Sequence, residues 1–161
     1  LLPGDIAVSK IQKVDANLHA RFSATSRLYR YYIHQSKDPF LNHYSWEIHY
    51  PLDFKIMNDG AFLLLGEKDF VCFCKAGGNQ NNTLCDVTEA HWDQKGDQWV
   101  FTIRANRFLR NMVRAIVGTL VDLGRHRISL DDFRRILLSG TRSDAGESVP
   151  GKALFLEEID Y

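Results

Sequence analysis

The sequence predicts an α+β fold, and three observations carry that prediction. Apolar–polar alternation marks several strands, apolar stripes at helical spacing mark three helices, and their order sets a sheet against helices on one side. With 161 residues, 45% of them hydrophobic and 12% aromatic, the chain suits one domain spanning 1–161.

Ile6, Val8 and Val14 suggest a first extended piece. Residues 26–35 then alternate, with Tyr29, Tyr31 and Ile33 on one face and Leu28, Arg30, Tyr32 and His34 on the other. Large groups on both faces point to a sheet with something packed or bound on each side. Lys37-Asp38-Pro39 breaks this strand, a second alternation covers 44–49, and Pro51 ends it. Asp53 is placed to cap a helix whose Met57, Ala61, Leu64 and Leu65 share a face, with Gly66 as its stop. Residues 75–83, which include Gly77-Gly78-Asn79-Gln80-Asn81-Asn82, are too polar and glycine-rich to pack and predict a mobile loop.

Residues 84–92 and 98–105 alternate around Asp93-Gln94-Lys95-Gly96-Asp97, which predicts a hairpin with Trp99, Phe101 and Ile103 on one face. The longest helix follows, capped by Asn106, striped with Phe108, Met112, Val113, Ile116, Val117 and Leu120, and stopped at Gly124. Ser129 and Asp132 form a capping arrangement for a short helix carrying Phe133, Ile136 and Leu137 and ended by Gly140. A polar linker leads to Pro150, and residues 153–160 read as a closing strand.

Twenty basic residues balance twenty acidic ones, so any electrostatic case for a nucleic-acid or acidic partner must be local. Three cysteines, Cys72, Cys74 and Cys85, argue against a disulfide framework and for a reducing compartment, with a cytoplasmic location as the expectation. Cys72 and Cys74 lie in an apolar run with no second ligand pair at zinc spacing, so no metal is expected. No apolar run is long enough to span a membrane. The opening Leu1-Leu2-Pro3-Gly4-Asp5 has neither an initiator Met nor a signal pattern, so the sequence reads as entered mid-chain, through truncation or processing.

Arg107, Arg110 and Arg114 stand three and four apart, a spacing that lines them along one face of the predicted long helix, near its N-terminus. Planar guanidinium forks so placed suit phosphate oxygens or a partner carboxylate. A solvated polar face is the plain alternative. Two features favour the anion site: no acidic residue occurs between Ile103 and Leu120, and Arg21, Arg27 and Arg30 flank the strand carrying Tyr29. Cations interleaved with Tyr29, Tyr31 and Tyr32 fit looped or single-stranded RNA, whose phosphates take cations and whose unstacked bases take flat partners. Alternating tyrosines equally suit a core. The six histidines form no i, i+4 pair and no carboxylate pair emerges, so neither is assigned chemistry.

Four stretches resemble the TruA family of tRNA pseudouridine synthases. They are Leu2-Pro3-Gly4-Asp5-Ile6; His19-Ala20-Arg21-Phe22-Ser23-Ala24-Thr25 continuing through Arg27-Leu28-Tyr29-Arg30-Tyr31; Gly66-Glu67-Lys68-Asp69-Phe70; and Ala105-Asn106-Arg107-Phe108-Leu109-Arg110-Asn111-Met112-Val113-Arg114 with Ile116-Val117-Gly118. The second and fourth are long and specific, and together the four span nearly the whole chain. The resemblance implies a pseudouridine synthase fold, of which this chain is the ferredoxin-like C-terminal half with a mainly antiparallel sheet and helices on one face. It implies isomerisation of uridine to pseudouridine in the anticodon stem-loop of tRNA by a homodimer, without metal or organic cofactor.

In that family the nucleophilic aspartate lies in a Gly-Arg-Thr-Asp motif upstream of the Leu-Pro-x-Asp-Ile element at which this sequence opens, so this chain alone is expected to be inactive. By the same resemblance Tyr29 stacks on the target uracil and Arg114 pairs with the aspartate. Leu154 and Phe108 are expected to border the base, and Arg21, Arg27, Arg107 and Arg110 to hold RNA. The sequence departs from the family pattern at Cys85, where Arg often stands before Val87, and at Ala153, where Gly precedes the Leu. The rival reading is an RNA-binding domain with no chemistry of its own.

Overall fold

The alternating stretches pair into a six-stranded mixed sheet in the computed structural model, which describes residues 2–75 and 82–161. In chain order the elements are β1 (Ser26–His34), β2 (Trp46–Glu47), α1 (Phe54–Phe62), β3 (Gly66–Asp69), β4 (Leu84–Lys95), β5 (Gln98–Ala105), α2 (Met112–Gly124), α3 (Leu130–Ser139) and β6 (Leu154–Asp160), with 3₁₀ turns at Val71–Phe73 and Gly151–Ala153. Among the described residues only the β1–β2 pair is parallel. β5 takes one edge of β1 from Arg27 to His34, while β6 and β2 divide the other. Without the short strands β2 and β3, the spatial order is β6-β1-β5-β4, joined β-α-β-β-α-β, which is the ferredoxin-like arrangement.

The two faces of the sheet differ in chemistry. Tyr31 and Ile33 of β1 stand beside Phe101 and Trp99 of β5 and, one strand further, Trp92 and Gln94 of β4. This face packs on Met57, Ala61, Ile116, Leu120 and Phe133 of the helices. On the other face Arg104 binds Glu158, Asp160 at 2.8 Å and Glu89 at 3.8 Å, and Arg30 binds Glu157 at 3.3 Å. The helices therefore cover one face only.

α2 is buried on nearly all sides; Arg114 and Asp122 are its residues that are not. One side is covered by the chain after α3, which crosses at Gly118 so closely that a Cβ there would lie 1.8 Å from the Glu147 carbonyl oxygen. The crossing is bonded at Thr119, whose Oγ1 accepts from Gly146 N–H at 2.8 Å.

Several boundaries differ from the sequence expectation. Ile6, Val8 and Val14 stay half exposed and form no strand, because the segment bonds to no sheet edge. The second strand shrinks to Trp46–Glu47, since β6 occupies most of that edge of β1. Asp53 caps α1 as expected, its carboxylate accepting from Lys55 and Ile56 N–H, but α1 ends at Phe62. Gly66 is not its stop: with φ of +90° it opens β3, an edge strand whose Gly-Glu-Lys-Asp sequence has no apolar face to betray it.

Asn106 does not cap the long helix. Its N–H donates to the Asp86 carbonyl and its Oδ1 accepts from Asp86 N–H at 2.9 Å, which closes the end of the β4–β5 ladder. α2 instead begins at Met112, after Asn111 in a left-handed conformation with φ of 66°. The capping box of Ser129 and Asp132 forms as expected. The glycine-rich loop expected within 75–83 falls largely on residues outside the described ones.

Gly118→Ala is expected to lower stability by about 1–3 kcal/mol in a urea titration, because the crossing backbone must move, whereas Gly4→Ala, with open space around it, should change little. Burial pushes the thiols of Cys72 up to about 12 and Cys85 up to about 11, and raises the Tyr31 hydroxyl as well. Unfolding returns them to ordinary values, so the unfolded chain loses those protons first as pH rises. Stability should hold below about pH 9 and fall from there towards pH 12, read as the urea midpoint against pH.

Candidate functional site

A cleft of about 590 Å³ opens at the Ser26 end of β1, between β6 and the chain that follows β5. Tyr29 of β1 and Leu156 of β6, directly paired across the ladder, stand in it, as do Arg27 and its partner Ile159. Phe108 meets Tyr29 edge-on, with ring centres 5.0 Å apart and planes at 86°. Tyr29 thus has one edge fixed and is half-buried, while Tyr31, two residues on, is fully buried and donates its hydroxyl to the Pro150 carbonyl at 2.9 Å. Tyr32 points to the opposite face, where it donates to Glu157. Alternation separates Tyr32 from Tyr29 and Tyr31 but does not choose between those two, and of the three Tyr29 alone lines this cleft.

One wall of the cleft is a turn that holds itself together. His19 Nδ1 accepts from the N–H groups of Arg21 at 3.0 Å and Phe22 at 3.2 Å, and Ser23 Oγ accepts from His19 N–H at 2.9 Å. This displays Phe22, 75% exposed, with the Arg21 guanidinium over its ring. Arg27 ties the turn to the opposite wall: it donates to Ala24 O at 2.8 Å, to Asn106 O at 2.7 Å and to Arg21 O. Much of its donor capacity therefore holds the cleft together.

Arg107 and Phe108 line the same cleft from the loop before α2. Arg114 does not; it sits in the first turn of α2 and lines a second hollow of about 450 Å³ with Lys75, Asn111, Arg142 and Ser148. Because α2 starts at Met112, the expected single helical face of Arg107, Arg110 and Arg114 is not formed. Arg110 lines neither concavity; its carbonyl accepts from Lys75 N–H at 3.0 Å.

The Arg114 Nε donates to Val149 O at 2.6 Å, and Val149 N–H returns to Arg114 O at 3.3 Å. Its charge is felt by Tyr31, where it opposes the dominant effect of burial. Tyr31 and Tyr29 project from the same face of β1, one pleat repeat apart, so Arg114 and Tyr29 serve the same side of the sheet. Leu154 pairs with Tyr31 and is half-buried just after the 3₁₀ turn.

Carboxylate pairing sorts the arginines. Among the described residues Arg30, Arg104, Arg127, Arg134 and Arg135 each face an acidic side chain. None of Arg21, Arg27, Arg107, Arg110, Arg114, Arg125 and Arg142 has such a partner among them, and of these Arg125, which lines neither concavity, lies over the Tyr50 ring at 3.9 Å. A neutral chain therefore carries a locally cationic region around the two concavities. Arg142 and Ser148 were invisible to sequence reasoning, because their stretch reads as linker and their contacts depend on the crossing at Gly118; Asn111 lies in the motif before α2 but was given no role.

A family model for tRNA pseudouridine synthase matches residues 61–161. The chain belongs to the tRNA pseudouridine synthase family. It is 49% identical over 162 residues to tRNA pseudouridine synthase A of Bacteroides fragilis, covering 100% of this chain and 64% of the relative. Similarity to the same-named protein of Parabacteroides distasonis is 50% over 161 residues, again with 100% of this chain and 64% of the relative covered. For Bacillus subtilis the figures are 37% over 163 residues, 100% and 66%. The chain thus spans about 64% of the length of the first two relatives. The α+β architecture, with its mostly antiparallel sheet and helices on one face, is the pseudouridine synthase fold.

Arg27→Leu should free the 19–25 turn. Hydrogen exchange there is expected to rise by about tenfold or more, with the β4–β5 amides unchanged; uniform exchange would show the clamp to be dispensable.

Proposed function

We propose that the whole protein isomerises uridine to pseudouridine in the anticodon stem-loop of tRNA, and that the cleft around Tyr29 receives the target nucleotide. The observation that carries this reading is a half-buried tyrosine, steadied edge-on by Phe108, in a cleft whose arginines have no carboxylate partner among the described residues. Such a cleft offers cations to phosphates and a flat ring to a base that has left its stack.

In this reading the uracil lies against Tyr29, with Phe108 and Leu154 as apolar neighbours. Arg21, Arg107 and Arg110 take phosphates, and Arg27 contributes its charge while holding the wall. Arg114 faces the nucleophilic aspartate that the family resemblance puts upstream of this chain, and keeps it ionised at neutral pH. The bond from ribose C1′ to N1 breaks, the ring turns, and C1′ joins C5. The C5 proton leaves to solvent and N1 gains one, so no redox step and no cofactor enter. Unstacking the base costs about a few kcal/mol, which contact with Tyr29 offsets in part. A homodimer in the cytoplasm, with these 161 residues as part of one catalytic domain, completes the proposal.

Release of tritium from a stem-loop labelled at uridine C5 tests it. The complete protein should release label and the 161-residue chain alone should not. Tyr29→Leu, which removes the flat ring, and Arg114→Ala in the complete protein are expected to lower turnover by about 100-fold with RNA affinity changed less than about tenfold. Equal losses of turnover and affinity would contradict the assigned roles. Salt-dependent binding by the complete protein without any release would favour an RNA-binding domain instead.

A further inference from the structure

The hollow beside Arg114 holds more positive charge than the proposed chemistry uses. Lys75, Arg114 and Arg142 all line it, and Asn111 and Ser148 complete its wall without contributing an acid. Glu147 lies on the same loop but is exposed and pairs with none of the three. One aspartate, as assigned above, neutralises Arg114 and leaves two cations.

Those two are placed differently. Arg142 is immobilised: it donates to Ala145 O at 3.3 Å, Gly146 O at 3.0 Å and Ser148 Oγ at 3.0 Å, and Ser148 Oγ is also bonded by the Asn111 amide. These acceptors are neutral, so the guanidinium is fixed at the rim while its charge stays uncompensated, with part of its donor fork unspent. Lys75 is exposed, and among the described residues it is held through its main chain, whose N–H donates to Arg110 O and whose carbonyl accepts from Cys74 Sγ. Asn111 precedes α2 but makes no side-chain cap, having turned its amide to Ser148, so the helix N-terminus adds its partial positive charge. Converging like charges cost free energy unless an anion joins them.

We propose that Arg142 and Lys75 bind a backbone phosphate of the substrate RNA in this hollow, a second anion beside the carboxylate facing Arg114. The inference rests on the functional reading above. A phosphodiester fits better than a second carboxylate because a fixed planar fork and a mobile ammonium can share its two free oxygens from different sides. It would fix the nucleotide next to the target and so set how the strand enters the cleft.

The test measures binding of the anticodon stem-loop RNA to the complete protein, wild type, Arg142→Gln and Lys75→Gln, across a salt series. Each variant should make the slope of log affinity against log salt shallower by about 0.7–0.9, as loss of one phosphate contact requires. Arg142→Gln should also weaken binding by about tenfold. A neutral methylphosphonate at one linkage should weaken the wild type and leave Arg142→Gln unaffected. Because Arg142 also ties down residues 145–148, Lys75→Gln decides: a wild-type slope for it overturns the proposal whatever Arg142→Gln does. Variants that bind normally but lose turnover overturn it too, since the counter-charge is then a protein carboxylate. Wild-type protein that binds without releasing tritium removes the functional reading and leaves the phosphate contact standing.

Discussion

The passage of residues 146–150 over α2 at Gly118 is the constraint on which the rest of the molecule depends. No side chain fits there, because the Glu147 carbonyl occupies the space a Cβ would take. From that crossing the chain offers the Val149 carbonyl to Arg114 and the Pro150 carbonyl to Tyr31. It then makes one 3₁₀ turn and enters β6 against β1, which sets Leu156 opposite Tyr29. A single close approach between a helix and a loop thus orients an arginine, anchors the core tyrosine and builds one side of the cleft. Within the Ile116-Val117-Gly118 stretch, Gly118 meets the steric demand of this contact.

Charge separation does the work that net charge cannot. The open face of the sheet and α3 bind their arginines to carboxylates, and exposed pairs of that kind contribute little to stability. Around the two concavities the arginines bond to carbonyls or to nothing acidic among the described residues. Carbonyl bonds fix a guanidinium in place without cancelling its charge, so those side chains stay available to an anion that arrives later.

Much of the fold was legible in the sequence wherever the signal was local. β5 runs from Gln98 to Ala105 as its alternation requires, and Ser129 with Asp132 forms its box. The errors share one cause. Asn106 before an apolar run looks like an N-cap, but Asp86, twenty residues away, claims both its N–H and its side chain. β3 carries no apolar face and exists only because β4 has a free edge to offer. The arginine face failed with the helix start, and the role of Tyr29 among three tyrosines needed the position of Phe108. Arg142 left no local trace, since its place depends on a loop read as linker.

The central claim is that the target base enters beside Tyr29, and photocrosslinking measures it most directly. A stem-loop carrying 5-iodouridine at the target position would be bound to the complete protein, irradiated, and the attached peptide sequenced by mass spectrometry. Attachment within the peptides containing Tyr29 or Phe108 is the result this account predicts. Attachment confined to Tyr32, Tyr44 or Phe155, the aromatic group on the opposite face of the sheet, would contradict it.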